Sequence, residues 1–592
     1  MVALAALLVT RTVAQQPITY ERRELTIPIR DGVHLFAVAL IPRGATEPLP
    51  ILLIRTPFGA TVEFSSDKLP AQFQELAEDG YIFVTEDSRG RNGSTGVFVT
   101  NRPQHDPRNP NGTDESTDAY DTVDWLVKNL PHNNGKVGVL GISYRGWLAG
   151  LAGVNPHPAL KAISPQAPTT DTWLGDDFFH QGAFRETQGV AYGAWIEQGH
   201  APSIPDNDEY DFYLRHGTLA AIATAAGVAR LPSWAGFRAH PAYDAYWQAK
   251  AMQNVLAKPE VPILFVGGWW DQEDILGPEL AYHTVERADP LGKNRIVMGP
   301  WFHGGWARPG GDSLGPIRLG SNTADYFRSQ IERGWFAYYL HGTGDGHFPE
   351  AWAFESGENQ WHTFDAWPPR TAKPRNLYLR ENGQLSFDAP AAGAEYDAYT
   401  SDPANPVPYV RRPDNGNGWN TWLEQDQRFL KGRRDVLTWT SEPLTEDLTI
   451  AGDVVAHLFA STTGTDADWV VKLIDVYPDS VPGRTAMGGY ELMVNADIMR
   501  GRYWKSFTQA TPIPSNTVTP FNVDLHEQLY RFLKGHRLMI QVQSSWFPLY
   551  DRNPQSFVPN IFLAAASAFR AAEHRVWHTA RYPSHVSLMV LP

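Results

Sequence analysis

The stretch Lys136–Trp147, KVGVLGISYRGW, sets a serine among glycines at the end of an apolar run. Lys136 to Leu140 reads as a buried strand, bounded by turn residues. The segment Gly141 to Gly146 is G-x-S-x-x-G, one residue longer than the common nucleophile elbow. A tight strand-to-helix turn needs small neighbours, and Gly141 and Gly146 supply them. Such a turn lifts Ser143 above the sheet edge. The next backbone N–H, that of Tyr144, then points toward an oxyanion at a helix N-terminus, whose partial positive charge favours it. Taken alone, the motif has a second reading, a serine capping a helix from a glycine turn.

The flanking sequence repeats the same kind of strand. Pro50–Arg55 (PILLIR) and Tyr81–Thr85 (YIFVT) are apolar on both faces. Tyr120, Val123, Leu126, Val127 and Leu130 fall on one helical face, and Pro131 stops it. Further strand-like runs lie at Leu160–Ser164, Val261–Val266 and Arg295–Met298. Strands alternating with helices predict a mostly parallel sheet covered on both sides. The rhythm breaks between Thr170 and Ala257, a segment rich in aromatics and helical patches with breaks at Pro202, Pro205 and Pro232. It reads as a helical cap over the sheet edge. After Trp367-Pro368-Pro369 the texture becomes β-like. Asn382-Gly383 sits between alternating runs, a hairpin signal. Val454–Ala460, Trp469–Val476 and Arg537–Gln543 are further strands, and one helical stretch is expected at His526–Leu533.

A serine hydroxyl must lose its proton to attack, so it needs a histidine base held by a carboxylate. Two residues stand where such partners belong, each just past a strand. Asp271 follows Val261–Val266 through Gly267-Gly268-Trp269-Trp270, and His303 follows Arg295–Met298 through Gly299-Pro300-Trp301-Phe302. None of the other histidines has this position.

Composition bounds the rest. With 592 residues, the chain is too long for one core. A formal charge of −15 argues against nucleic acid and anionic membrane surfaces as partners. Cysteine is absent, which removes disulfides and thiolate metal sites. No cofactor or metal is expected. Val2–Val9 is apolar, and Thr12-Val13-Ala14 resembles a small-residue cleavage site. Residues 1–16 therefore read as a signal peptide remnant, which implies a periplasmic or secreted protein. Without a basic segment ahead of it, a plain N-terminal tail on a cytoplasmic protein is the alternative.

Six segments together resemble the family of α-amino acid ester hydrolases, cocaine esterase-like enzymes, glutaryl acylases and X-Pro dipeptidyl peptidases. They are RTPF (Arg55–Phe58), EDSRGRNGSTG (Glu86–Gly96), GISYRG, GDDFFHQGAFR (Gly175–Arg185), WDQED (Trp270–Asp274) and GPWFHGG (Gly299–Gly305). GDDFFHQGAFR and WDQED look most like the α-amino acid ester hydrolases. The resemblance implies an α/β-hydrolase domain (17–169 and 258–369), an inserted helical cap (170–257) and a C-terminal all-β jelly roll (370–592). It also implies Ser143, Asp271 and His303 as the triad, homo-oligomers, and small ester or amide substrates, possible β-lactam amides included. Asp177, Glu273 and Asp274 match a carboxylate cluster that holds a substrate's α-ammonium, with the Tyr144 ring beside the acyl group. Three carboxylates without a metal repel one another, and an ammonium relieves that repulsion. The plainer alternative makes Glu273 and Asp274 solvated loop acids. One position departs from the family. Phe58 stands where a tyrosine usually supplies the second oxyanion donor, so another donor, such as a backbone N–H near Phe58-Gly59, would have to serve. The rival activities are an exopeptidase or a glutaryl acylase of the same family, and the rival class is a degenerate hydrolase that only binds.

Overall fold

A strand apolar on both faces is stable only inside a covered sheet. β3 (Leu49–Thr56), β4 (Ile82–Asp87), β5 (Asn133–Ile142), β6 (Leu160–Gln166), β9 (Ile263–Gly268) and β10 (Asn294–Gly299) pair in parallel in the order β4–β3–β5–β6–β9–β10. An antiparallel hairpin, β1 (Tyr20–Pro28) and β2 (His34–Pro42), extends the sheet beyond β4, and Ala351–Glu355 and Gln360–Phe364 extend it beyond β10. These extensions were not expected from the sequence. The structure is a computed structural model that describes residues 18–105, 109, 111–204, 208–390, 395–414 and 418–592. The leader at 1–16 and the break at Pro205 lie outside the described residues.

Helix α1 (Glu115–Asn129) begins at Asp114, whose carboxylate accepts from the Ser116 and Thr117 N–H groups, and it ends one residue before Leu130, with Pro131 beyond. Its first residue completes a buried ion cluster. Arg55 donates to Glu86 at 2.7 Å and to Glu115 at 3.1 Å. One step along, Arg89 donates to Asp118 at 2.9 Å. The charged residues of RTPF and EDSRG thus brace the loops beyond β3 and β4. Removing one partner of such a buried pair typically costs about 3–5 kcal/mol.

Between β6 and β9 the chain forms a two-stranded turn, β7 (Phe179–His180) and β8 (Ala183–Phe184), then α3 (Glu186–Gln198) and four further short helices. Their aromatic side chains, among them Trp173, Phe179, Phe184, Trp234 and Phe237, share one core. Among the described residues no helix is long and apolar enough to cross a membrane.

The C-terminal domain is all-β. Lys373–Arg380 turns back through Asn382 and Gly383, both at positive φ, to pair Arg380 with Gln384. The helix expected at His526–Leu533 is instead the end of a strand, Thr519–Phe532, paired along Leu448–Thr462. The reason is burial on both faces. The strand alternates up to Asp524, and beyond it nearly every residue is covered. There α4 (Leu276–Glu286) of the parallel-sheet domain packs on it, with His283 hydrogen-bonded to Glu527 at 2.8 Å. Period-two alternation vanishes where a second domain covers the outer face.

Candidate active site

Ser143 holds φ 67° and ψ −131° between the end of β5 and α2 (Tyr144–Ala152). A non-glycine residue there is strained by about 1–3 kcal/mol, so the turn must be fixed by its surroundings. The Ser143 N–H donates to the Gln166 carbonyl at 2.9 Å. A side chain on Gly146 would collide with that same carbonyl, and one on Gly141 with the carbonyl of Arg145. The spacing G-x-S-x-x-G is therefore a packing requirement between β5, α2 and β6. The Ser143 side chain makes no capping hydrogen bond to α2. Its hydroxyl faces Asp274 Oδ2 at 3.4 Å.

Asp271 and His303 meet beside it. His303 Nδ1 lies 2.9 and 3.0 Å from the two Asp271 oxygens. Asp271 Oδ1 also accepts from the Glu273 and Asp274 N–H groups at 2.8 and 2.9 Å, so one carboxylate fixes both its loop and the imidazole. Gln272 Oε1 accepts from the His303 N–H at 3.0 Å and ties the two strand ends together. The other ring nitrogen, Nε2, is 3.3 Å from Glu273 Oε2. Burial by itself would lower the His303 pKa. Asp271 and Glu273, with Asp177 behind them, outweigh it and raise the value to about 9.

The three acids of the proposed cluster converge. The Asp177 N–H approaches the Glu273 carbonyl at 3.4 Å, and Asp177 itself sits at φ 46° in the first turn of the cap. Asp177 Oδ1 accepts from Gln188 at 3.3 Å, while Asp177 Oδ2 and Asp274 Oδ1 are buried without a hydrogen-bond partner. Burial, reinforced by Glu273, pushes the Asp177 pKa up to about 7. Burial and then Asp177 raise Asp274 well above the carboxylate range. Asp274 is fully buried, which removes the alternative of a solvated loop acid at that position.

Phe58 lies half-buried against Trp195, with ring centroids 4.9 Å apart, and edge-on to Tyr144 at 6.5 Å. Its N–H donates to Thr56 Oγ1 at 3.0 Å. Of the backbone donors suggested near Phe58-Gly59, the Phe58 N–H is therefore already engaged. The Tyr144 ring is buried, with its hydroxyl accepting from the Asn101 N–H at 2.9 Å.

Two further residues complete the site. Arg185, fully buried in the cap, donates to the Glu273 carbonyl at 3.1 Å and to the Gln272 carbonyl, clamping the acid-bearing loop. Trp419 reaches in from the all-β domain. Its indole N–H donates to Glu273 Oε1 at 3.1 Å, and its ring lies under the Arg185 guanidinium. Arg185 was legible only as part of a motif. Trp419 gave no signal, being 146 positions from its partner in a different domain.

Three sets of donors among the described residues lie close enough to share an ion: His180, Asp497 and His526; Glu273, Asp274 and His303; and Glu355, Glu358 and His362. All three sets are engaged by protein. Asp497 bridges His180 and His526 at 2.9 and 2.8 Å, Glu273 is held by Trp419, and Glu358 pairs with Arg531 at 2.8 Å.

The sequence matches the family model of the X-Pro dipeptidyl-peptidase (S15 family) over residues 31–305, and that of the X-Pro dipeptidyl-peptidase C-terminal non-catalytic domain over 338–587. It is 29% identical to a cocaine esterase of Rhodococcus sp. (strain MB1 Bresler), covering 95% of this chain and 97% of that one. Among solved structures, an aminopeptidase from a marine sediment archaeon, Thaumarchaeota archaeon, superposes with a TM-score of 0.94 at 43% identity, covering 100% of this chain and 99% of the other. An α-amino acid ester hydrolase superposes with a TM-score of 0.93 at 44% identity, covering 96% of each chain.

Proposed function

This chain belongs to the S15 X-Pro dipeptidyl-peptidase family of serine hydrolases, and on that premise we propose that it cleaves, and transfers to amine acceptors, acyl groups bearing a free α-amine. The observation that carries the reading is the pair of buried, partnerless carboxylate oxygens, Asp177 Oδ2 and Asp274 Oδ1, in the cluster beside Ser143 and His303. Such oxygens are costly to bury unless a cation meets them. An α-ammonium is a cation whose attachment fixes the neighbouring carbonyl over Ser143. The names of two relatives above 40% identity, an aminopeptidase and an α-amino acid ester hydrolase, both denote substrates with that group.

In this reading Ser143 attacks the ester or amide carbonyl, and His303 Nε2 takes its proton. Negative charge develops on the carbonyl oxygen, which accepts from the Tyr144 N–H. His303 then gives the proton to the leaving alcohol or amine, leaving an acyl-enzyme. Water, or an acceptor amine such as a β-lactam nucleus, releases the acyl group by the same steps in reverse order. Asp271 holds the Nδ1 proton throughout.

A substrate panel tests this directly. Phenylglycine methyl ester should be turned over far faster than methyl phenylacetate, which lacks only the amine. Equal rates would sink the reading. Alanine and Ala-Pro anilides in the same panel address the second reading, an exopeptidase, which the aminopeptidase resemblance favours and the same acids would serve. A glutaryl anilide should be poor, because its carboxylate would face the acid cluster and the nearby Arg185 guanidinium is committed to carbonyls. Labelling of Ser143 by a fluorophosphonate separates an enzyme from a binding module.

Asp177→Asn should lower kcat/KM on phenylglycine methyl ester about tenfold or more relative to methyl phenylacetate, since a charge-assisted contact contributes about 1.5–3 kcal/mol. Parallel losses on both esters would make Asp177 structural. Phe58→Tyr should raise kcat, by about 10²-fold at most, because the added hydroxyl would meet an oxyanion that forms chiefly in the transition state. A flat kcat with the tyrosine hydroxyl seen near Ser143 would show that the missing donor limits nothing.

A further inference from the structure

Glu273 touches two things at once: the place assigned to the ammonium and the proton-accepting nitrogen of the base. His303 Nε2 points at Glu273 Oε2, 3.3 Å away, and the Ser143 hydroxyl points at Asp274 Oδ2 at 3.4 Å. Nucleophile and base are each held by an acid of the cluster rather than by one another. Trp419 fixes Glu273 from the opposite side through Oε1, so the carboxylate cannot simply swing away.

We propose that Glu273 is a specificity gate: it locks His303 in its doubly protonated form until a substrate ammonium takes over the carboxylate and frees Nε2 to accept the Ser143 proton. This rests on the α-ammonium reading of the cluster and deepens it. The charged groups facing His303 are Asp271, Glu273 and Asp274 from the loop after β9, and Asp177 from the cap. Arg185, the cation on the cap side, is bound to the Gln272 and Glu273 carbonyls. A carboxylate thus faces each ring nitrogen, Asp271 at Nδ1 and Glu273 at Nε2, and an imidazolium is the natural occupant of that pair. The proton balance is simple. An ammonium enters bearing one positive charge, the Nε2 proton leaves to water, and the net charge of the site is unchanged. Nε2 then carries the lone pair that general-base catalysis requires. A substrate lacking the amine would bind without releasing the lock, so it would be discriminated against in kcat as well as in KM.

The gate gives the pH dependence a definite sign. His303, raised to about 9 by the acids around it against its burial, must be deprotonated to act as base. The acid limb of the kcat profile reports that group in the substrate complex. With phenylglycine methyl ester the limb should lie at least about one pH unit below its position with methyl phenylacetate. One unit is a tenfold change in the neutral fraction.

Glu273→Gln removes the lock and part of the ammonium site together, and predicts opposite changes. On methyl phenylacetate the acid limb should fall and kcat at pH 7 should rise, by up to about tenfold for each unit of that fall. On phenylglycine methyl ester kcat/KM should drop about tenfold. If the second change occurs while kcat on methyl phenylacetate stays flat or falls, the gate is wrong and the ammonium reading stands. If the preference for the α-amino ester is as large in the variant as in the wild type, Glu273 serves neither role. A test on the wild-type protein does not depend on the variant folding. Methylammonium chloride should raise kcat on methyl phenylacetate at pH 7 above the value in sodium chloride at equal ionic strength. No rise would overturn the gate.

Discussion

Ser143→Ala should lose about 10⁶-fold in kcat, the scale set by deleting the nucleophile of a serine protease triad, and should keep its fold. The two halves of that expectation have separate grounds. In the proposed mechanism the hydroxyl forms the covalent bond to the acyl carbon, and without it only water activated by His303 would remain. The fold should survive because the side chain contributes little to it. Its hydroxyl has one contact, to Asp274 at 3.4 Å, and it does not cap α2. A single such hydrogen bond contributes about 0.5–1.5 kcal/mol. The strain of the elbow is in the backbone, at φ 67°, and alanine shares the Cβ that causes it. The measurements are kcat on phenylglycine methyl ester, the melting temperature, and the mass of the fluorophosphonate-treated protein. A variant retaining more than about 1% of wild-type kcat, a loss of under about 3 kcal/mol in transition-state stabilisation, would place the nucleophile elsewhere.

What the sequence made legible is what local chemistry dictates. The parallel strands could be read because burial on both faces leaves continuous apolar runs, and β4 and β9 are buried at every position. The elbow could be read because its glycines answer to backbone collisions within a few residues. The meeting of Asp271 with His303 could be anticipated because each follows a strand end. Long-range effects were not legible. The stretch His526–Leu533 looked helical because α4, some 240 residues earlier in the chain, covers its second face. Trp419 is one tryptophan among 21, and nothing near it in the chain marks it as a partner of Glu273. Nor could the sequence tell that the base and nucleophile each face an acid. That arrangement depends on ångström differences among side chains from separate segments of the chain.

Asp271→Asn should reduce kcat about 10⁴-fold, the loss found when a triad aspartate becomes its amide, and here the geometry says why. The substituted side chain would keep an oxygen for the Glu273 and Asp274 N–H groups, which Asp271 Oδ1 serves at 2.8 and 2.9 Å, so the loop need not move. Its amide NH₂ would then fall where Oδ2 now lies, 3.0 Å from His303 Nδ1. A donor in that place competes with the retained oxygen, 2.9 Å from the same nitrogen, and favours the tautomer in which Nδ1 accepts. In that tautomer the single proton of the neutral ring is on Nε2, the nitrogen that would take the Ser143 proton, and the base is blocked. The imidazolium formed during attack would also lack its counter-ion. A second effect has the opposite sign. With one of the anions that raise His303 to about 9 removed, burial weighs more and the pKa falls. The acid limb of the kcat profile should therefore move to lower pH while the plateau collapses. Seeing both changes separates a tautomer fault from simple misfolding, which would lower the plateau without moving the limb. A loss of less than about tenfold, or about 1.4 kcal/mol, would mean that Asp274, 4.0 Å from the same Nδ1, takes over as the orienting carboxylate. In that case the double variant Asp271→Asn with Asp274→Asn should show the collapse that the single one does not.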